Sequence, residues 1–321
     1  MKITIQCLIV IIVCFHIPTM LFAQYQPQDK YSWDYWFARN GDIYHAFYLQ
    51  YPINADQAYR HTCQTVGHAV SKDLRSWVEQ PTALIAIDKT WNDVGIATGS
   101  TVFKDGKWWI IFTGKSTNNG GMGLAYSDDL FTWVKYGNEP IIPFSTIYKI
   151  NWKGQTLNCV PLADPYIYPE KIGKWYFMVL NSQVVESPVD HRGCMLMLKS
   201  DDLINWQTHA MISYPEIFER METPQMWQAN GRWYLYFGGV NSLGHKNFVY
   251  TADKFDGVYT SQPWSEILLP DRKQYYIAKI VKTISGCDVY LTGLGYHAIS
   301  APYMVDYDKI SGEMILSIDK P

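Results

Sequence analysis

The sequence lacks the usual marks of a metalloprotein or a nucleic-acid binder. No two cysteines stand at C-x-x-C spacing, which removes the common zinc frameworks. His45, His68, His191, His209, His245 and His297 are scattered without i, i+4 pairing, so no metal is expected and His68 reads as a hydrogen-bonding core residue. Lys and Arg number 27 against 30 Asp and Glu, for a net charge of −3. That balance gives no basic footprint, and no nucleic-acid partner is expected. Beyond the first two dozen residues no run is long and apolar enough to span a bilayer. No helix of ordinary length with a capping signal stands out either. Gly120-Gly121-Met122-Gly123 lacks the Lys-Ser/Thr partner of a phosphate loop and precedes a strand pattern. Ser100 has no His and Asp at recognisable positions, which argues against acyl-transfer chemistry. No cofactor is expected.

Aromatic residues, by contrast, are abundant: 16% of the chain, with 13 Trp and 24 Tyr. They suit strand-rich packing, and a minority could stack on the flat faces of sugars. The opening stretch MKITIQCLIVIIVCFHIPTMLFAQ reads as a secretory signal peptide over residues 1–23, cut near Ala23. Its apolar run is short and broken by His16 and Pro18, which disfavours a membrane anchor. The expected location is secreted or periplasmic, with no membrane association beyond this segment. Cys63, Cys159, Cys194 and Cys287 then remain, open to three disulfide pairings or to four free thiols.

Five glycine turns punctuate the chain: Asn40-Gly41, Asp105-Gly106, Ile172-Gly173, Asn230-Gly231 and Ser285-Gly286. Each is followed by an aromatic-rich strand pattern such as DIYHAFYL, KWWIIFTG or RWYLYFGG. Spacings of 65, 67, 58 and 55 residues leave room for one four-stranded sheet per unit. The pattern predicts an all-β, five-bladed β-propeller. A second repeat supports it: AVSKDLRSWV at 69–78, AYSDDLFTWV at 125–134 and LKSDDLINWQ at 198–207, with a weaker echo at 250–259. Each copy reads as a strand end, an Asp-centred turn, and a strand carrying a tryptophan expected to pack between blades. Blades are expected at about 31–80, 95–137, 162–210, 221–263 and 275–318, with loops at 138–161 and 183–192. They use all of residues 24–321, which are expected to form one catalytic propeller domain without a C-terminal β-sandwich.

Three of the strands that lead into these turns carry a carboxylate: Asp34, Asp164 and Glu222, lying 7, 9 and 9 residues before their glycines. First strands of propeller blades line the central axis, so the three acids are expected to converge at one end of the channel. Hydrolysis of a glycosidic bond needs two carboxyl groups, because the leaving oxygen takes up a proton while positive charge develops on the ring. A third carboxylate can hold hydroxyls and tune the acid through like-charge proximity. Acids at strand starts often only cap turns. Three at corresponding positions are harder to explain that way, since a ring of buried like charges is costly.

The residues around these acids resemble glycoside hydrolase family 32, the invertases, inulinases and levanases. FYLQYP at 47–52, GHAVSKDLRSW at 67–77, ATGS at 97–100, ADP at 163–165 and METP at 221–224 follow the family's motif order. Related propeller enzymes fall in families 43 and 68. The resemblance implies that Asp34 is the nucleophile, Glu222 the general acid/base and Asp164 the transition-state stabiliser. It puts Gln50 and Thr98 in the sugar-binding subsite, Trp91 in its wall and Trp33 among the substrate contacts. The chain departs from the family pattern at Trp33 and Tyr35-Trp36 around the nucleophile, at Ala97, at Thr223, and at Ala163, where the family carries arginine. The expected activity is retaining cleavage of fructose-containing oligo- or polysaccharides. Two alternatives stand beside it: an inverting, family 43-like arabinofuranosidase or xylosidase, and a carbohydrate-binding propeller without catalysis. The sequence leaves the oligomeric state open.

Overall fold

A computed structural model describes residues 25–318, apart from 57, 59, 119, 272–274 and 296. The signal peptide read over residues 1–23 lies outside the described residues. Blade I comprises β1 (Lys30–Asn40), β2 (Ile43–Pro52), β3 (Thr65–Ser71) and β4 (Val78–Leu84). Blade II holds β5 (Gly95–Lys104), β6 (Lys107–Lys115), β7 (Gly121–Ser127), β8 (Val134–Tyr136) and β9 (Ile142–Pro143). Blade III holds β10 (Tyr148–Trp152), β11 (Gln155–Ile167), β12 (Tyr176–Val184), β13 (Gly193–Ser200) and β14 (Gln207–Ser213). Blade IV is β15 (Arg220–Ala229), β16 (Arg232–Asn241) and β17 (Gly244–Ala252). Blade V holds β18 (Ala278–Lys282), β19 (Asp288–Leu294), β20 (Ala298–Ile299), β21 (Tyr303–Tyr307) and β22 (Met314–Ile318). All five sheets are antiparallel meanders.

The apolar core shows how the ring closes. It divides into clusters that each bridge two blades. Phe47 of blade I meets Ile110 of blade II, Leu124 of II meets Leu196 of III, and Met195 of III meets Leu235 of IV. Tyr234 of IV meets Tyr290 of V, and Leu291 of V meets Tyr48 of I. No blade buries both faces alone, so each sheet depends on its neighbours for apolar burial. Tyr25 adds a further tie across the closure, exchanging backbone hydrogen bonds with Ile299 of blade V at 3.1 and 2.8 Å.

The repeats have physical explanations. All five turn glycines take positive φ, from 61° at Gly41 to 86° at Gly286, a region that side chains resist. In the second repeat, Ser71, Ser127 and Ser200 each accept a bond from a backbone N–H three residues on, at Leu74, Leu130 or Leu203. The following carboxylates, on Asp73, Asp129 and Asp202, accept two further N–H bonds each. The buried leucines then plug the blade interface. Trp133 reaches from blade II to Phe47 of blade I at 5.6 Å, the packing role expected of it.

The stretch 138–161, read as a loop, contains β9, β10 and the start of β11; the β10–β11 hairpin lengthens blade III beyond the ring. The loop at 183–192 contains the end of β12 and a short 3-10 turn at Val189–His191. Among the described residues the four cysteines are free thiols: Cys159 and Cys194 are buried, Cys63 and Cys287 exposed. His68 is buried and stacks on Phe47 at 4.7 Å, and its Nε2 lies 2.9 Å from His45 Nδ1. No helix among the described residues is long and apolar enough to cross a membrane.

Candidate active site

At one level of the channel, inner strands lose their register. The break falls in β1 between Trp33 and Trp36, in β5 between Ala97 and Gly99, in β11 between Ala163 and Tyr166, and in β15 between Glu222 and Gln225. Bulges of this kind turn a side chain away from its regular face. At the head of three of them Asp34, Asp164 and Thr223 take left-handed φ of 51°, 56° and 49°. Such a conformation costs ~1–2 kcal/mol per residue. Asp tolerates it, but a β-branched Thr is a genuine outlier. Strain of this size persists where surrounding structure fixes it, typically at functional sites.

The register corrects one expectation. Asp34, Asp164 and Glu222 were aligned by their distance from the glycine turns, yet Thr223 is the residue that matches Asp34 and Asp164. Glu222 stands one residue earlier, level with Trp33 and Ala163. Bulges and uneven turns consume residues, so counting back from a glycine loses the register.

Hydrogen bonds join the acids across blades. Thr98 Oγ1, from blade II, donates to Asp34 Oδ2 at 2.5 Å. Thr223 N–H, from blade IV, donates to Asp164 Oδ2 at 3.0 Å, and Asn181 Nδ2 reaches the same oxygen at 3.4 Å. Thr113 Oγ1 accepts from the Asp164 N–H at 3.2 Å. Tyr276 OH donates to Glu222 Oε2 at 3.3 Å, and Arg220 Nε lies 3.5 Å from Glu222 Oε1. Several polar atoms here are buried without a hydrogen-bond partner among the described residues: Asp34 Oδ1, Asn181 Oδ1 and Thr223 Oγ1. Buried polar groups are normally satisfied, so their clustering suits a polar ligand.

Electrostatics set the acids apart from ordinary carboxylates. Burial, reinforced by Asp164, pushes the Glu222 carboxyl up to about 7, against the partial relief of Arg220 and Tyr276. Burial and the Asp164 charge also drive Asp34 well above the usual carboxylate range, opposed by the Thr98 hydrogen bond and Lys279. Thr98 and Lys279 oppose that rise at Asp34 as Arg220 and Tyr276 oppose it at Glu222, and both carboxyls stay above the ordinary range.

Sequence reasoning passed over Lys279. The fifth blade brings no acid to the ring at Ala278-Lys279, but its lysine is buried there. Its Nζ donates to the carbonyls of Thr223 at 2.5 Å and Pro224 at 3.1 Å. A lone lysine inside the apolar run YYIAKIV was the signal available. Lys115 of blade II also faces the acids. Burial lowers its pKa against the pull of Asp164 and Asp34, and its Nζ donates to His61 O at 3.2 Å.

The other expected contacts lie at varied distances from this chemistry. Thr98 touches Asp34 directly. Gln50 is buried, and its amide donates within blade I to Thr65 and Thr82 Oγ1 at 3.2 and 2.9 Å. Trp33 is buried between blades I and II and meets His61 edge-on at 6.1 Å. Trp91 stacks on Phe112 at 5.6 Å and lies over Gly114 and Gly123, where any Cβ would strike its ring. Beneath the acids the channel continues as a cavity of about 540 Å³, lined by Thr98, Asp164, Thr223 and Lys279 and reaching Arg39 and Asp288 at its far end. Asp34 and Glu222 do not line it, so this cavity lies below the acid pair.

Residues 36–224 match the Glycosyl hydrolases family 32 N-terminal domain. The chain belongs to glycoside hydrolase family 32. The match begins just past Asp34 and ends just past Glu222. An acid beta-fructofuranosidase of Solanum lycopersicum is 36% identical over 128 residues, which cover 37% of this chain and 19% of that protein. A sucrose-6-phosphate hydrolase of Klebsiella pneumoniae is 28% identical over 190 residues, covering 58% of this chain and 36% of that one. The matched segments thus span well under half of these family 32 relatives. Among solved structures, the Lactobacillus gasseri sucrose-6-phosphate hydrolase superposes with a TM-score of 0.74 at 18% identity, covering 93% of this chain and 63% of that one. A Bombyx mori GH32 beta-fructofuranosidase gives 0.71 at 16% identity, covering 92% and 64%. At these identities the likeness concerns the fold, and it agrees with the five-bladed ring.

Proposed function

We propose that this family 32 chain is a retaining glycosidase acting on fructose-containing saccharides, with Asp34 as nucleophile, Glu222 as general acid/base and Asp164 as the carboxylate that holds substrate hydroxyls. The observation that carries this reading is the convergence of carboxyls from blades I, III and IV on one polar cluster, bonded across the blades through Thr98 and Thr223. Burial and Asp164 favour the protonated form of Glu222, and at Asp34 the Thr98 hydrogen bond and Lys279 work against the same rise. A proton donor opposite an ionised nucleophile is the pairing glycosidic cleavage needs.

Asp34 Oδ1, the oxygen without a partner among the described residues, attacks the anomeric carbon as the bond to the leaving oxygen breaks. Glu222 gives its proton to that oxygen. In the second half Glu222 takes a proton from water, the hydroxide oxygen bonds to the anomeric carbon, and the Asp34 carboxylate leaves. Asp164 Oδ2 is held by Thr223 N–H and Asn181, which fixes its carboxylate for the sugar hydroxyls. The leader read over residues 1–23 fits action on saccharides outside the cytoplasm.

The test is incubation of the purified protein with sucrose, inulin, levan and an aryl arabinofuranoside, beside Glu222→Gln, with methanol as competing acceptor. Release of fructose, loss of turnover in the variant and formation of the β-methyl fructoside support the reading. A methyl fructoside of inverted configuration removes the retaining mechanism. Cleavage of the arabinofuranoside alone removes the fructoside assignment. No cleavage, with sugar bound equally by parent and variant, removes the enzyme.

A further inference from the structure

Blade V contributes neither a bulge nor a carboxylate to the ring: β18 pairs with β19 in unbroken register, Lys279 opposite Leu291. Its neighbours Ala278, Ile280 and Val281 are apolar and buried, and Lys279 itself is only 6% exposed. A lysine in that setting is costly unless its ammonium is fully used. Two of its three N–H groups go to the Thr223 and Pro224 carbonyls. The Tyr236 ring lies beneath it at 5.6 Å, and Tyr236 OH accepts the Ala278 N–H at 2.7 Å, fixing the strand that carries it. These carbonyls belong to the β15 bulge. The same bulge holds Glu222 at its edge, and its Thr223 N–H holds Asp164. The left-handed Thr223 would relax if its peptide groups were free to turn.

We propose that Lys279 is a positioning residue for the reaction: its ammonium locks the Thr223-Pro224 bulge, and through it the Glu222 and Asp164 carboxyls, and supplies the ring's positive charge from blade V. Ala163, level with Glu222 on the blade III strand, leaves that place without a cation. The other cations near the acids are differently engaged: Lys115 is tied to His61 O, and Arg220 lies partly exposed beside Glu219 and Glu222. Burial lowers Lys279 to about 7 against the pull of Asp164 on β11 and Asp34 on β1, the charged groups that face it; Glu222 flanks the bulge that it holds, and Tyr236 of β16 is the titratable side chain packed against it.

This inference rests on the proposed glycosidase reading, and the experiment separates the two. Lys279→Met and Lys279→Arg are made in the full chain. Rate against pH is measured on the fructoside that the parent cleaves, and thermal stability against pH is measured alongside. Lys279→Met should lower kcat by ~10²-fold with KM changed less than about threefold. It should also move the acidic limb of kcat/KM up by about one pH unit, because the carboxyls lose their cation. Lys279→Arg should return the limb to its original pH. A Met variant with lowered Tm but unchanged kcat and unchanged limb overturns the proposal and leaves Lys279 a purely structural group. If the parent cleaves no fructoside, the glycosidase reading has failed, and the stability curve decides for Lys279 alone. Loss of the ammonium must then extend the carboxyl-linked fall in stability to higher pH; an unmoved curve overturns the proposal.

Discussion

Two regions of the molecule use the same rare backbone conformation for opposite ends. At the rim of blades I, II and III, Leu74, Leu130 and Leu203 hold φ of 61°, 69° and 70°; at the axis, Asp34, Asp164 and Thr223 hold 51°, 56° and 49°. The rim turns satisfy themselves. Backbone N–H groups of Thr132 and Phe131 hold the Asp129 carboxyl below the usual range. Burial would raise Asp202, but the N–H groups of Asn205 and Ile204 outweigh it and bring the carboxyl to about 2. At the axis the Asp34 and Glu222 carboxyls are raised instead, and polar atoms of Asp34, Asn181 and Thr223 are left without partners among the described residues. Strain spent on local satisfaction makes architecture, and strain that leaves groups unsatisfied makes a site that a ligand can complete.

The sharpest break of this comparison is mutational. Glu222→Gln or Asp34→Asn should lower kcat by ~10³-fold or more on the fructoside substrate, while Asp129→Ala at the rim should leave kcat within about threefold. Steady-state kinetics on the three variants checks it; a rim variant as inactive as the axial ones would erase the distinction.

A smaller effect concerns pH. Glu222 must carry its proton to act as the acid and is held up to about 7, so kcat/KM should fall about tenfold per pH unit above that value. A profile flat to pH 9 would mean that another group donates the proton.

Stability should separate the regions by sign. The Glu222 carboxyl sits at about 7 in the fold against an ordinary value of 4.5. A raised carboxylate pKa means the native state keeps a proton that the unfolded chain releases, so stability is lost as pH rises through that window. Glu222→Gln removes the loss. It should exceed the parent in stability by roughly 1–3 kcal/mol at pH 8, and the gap should close near pH 4.5, as read by denaturant titration at both pH values. Asp129→Ala, by contrast, should cost about 1–2 kcal/mol near neutral pH, since it frees the N–H groups of Phe131 and Thr132. Equal signs for the two variants would remove the contrast.

The rim was legible in the sequence because its devices are local. Ser71 and Asp73, or Ser127 and Asp129, lie two residues apart and meet through short backbone bonds, so the motif and the turn are one object. The axial acids were legible as residues, through their motif context, but their alignment was not. The register of β15 against β16, set by how many residues the bulge absorbs, decided that Thr223 and not Glu222 corresponds to Asp34. Trp33 and Trp91 show the same limit: the sequence supplies an aromatic ring, and packing on His61, Phe112, Gly114 and Gly123 sets where it lies.

By itself the sequence determined the number of blades, through glycines that readily accept the turn conformation at regular spacing, and the three carboxyl groups available for chemistry. Only the tertiary structure decided what surrounds them. Lys279 lies 115 residues after Asp164 and 245 after Asp34 in the chain, and its meeting with the Thr223-Pro224 bulge exists because blade V packs against blade IV. A charge's effect depends on distance and burial, and neither is written in chain order.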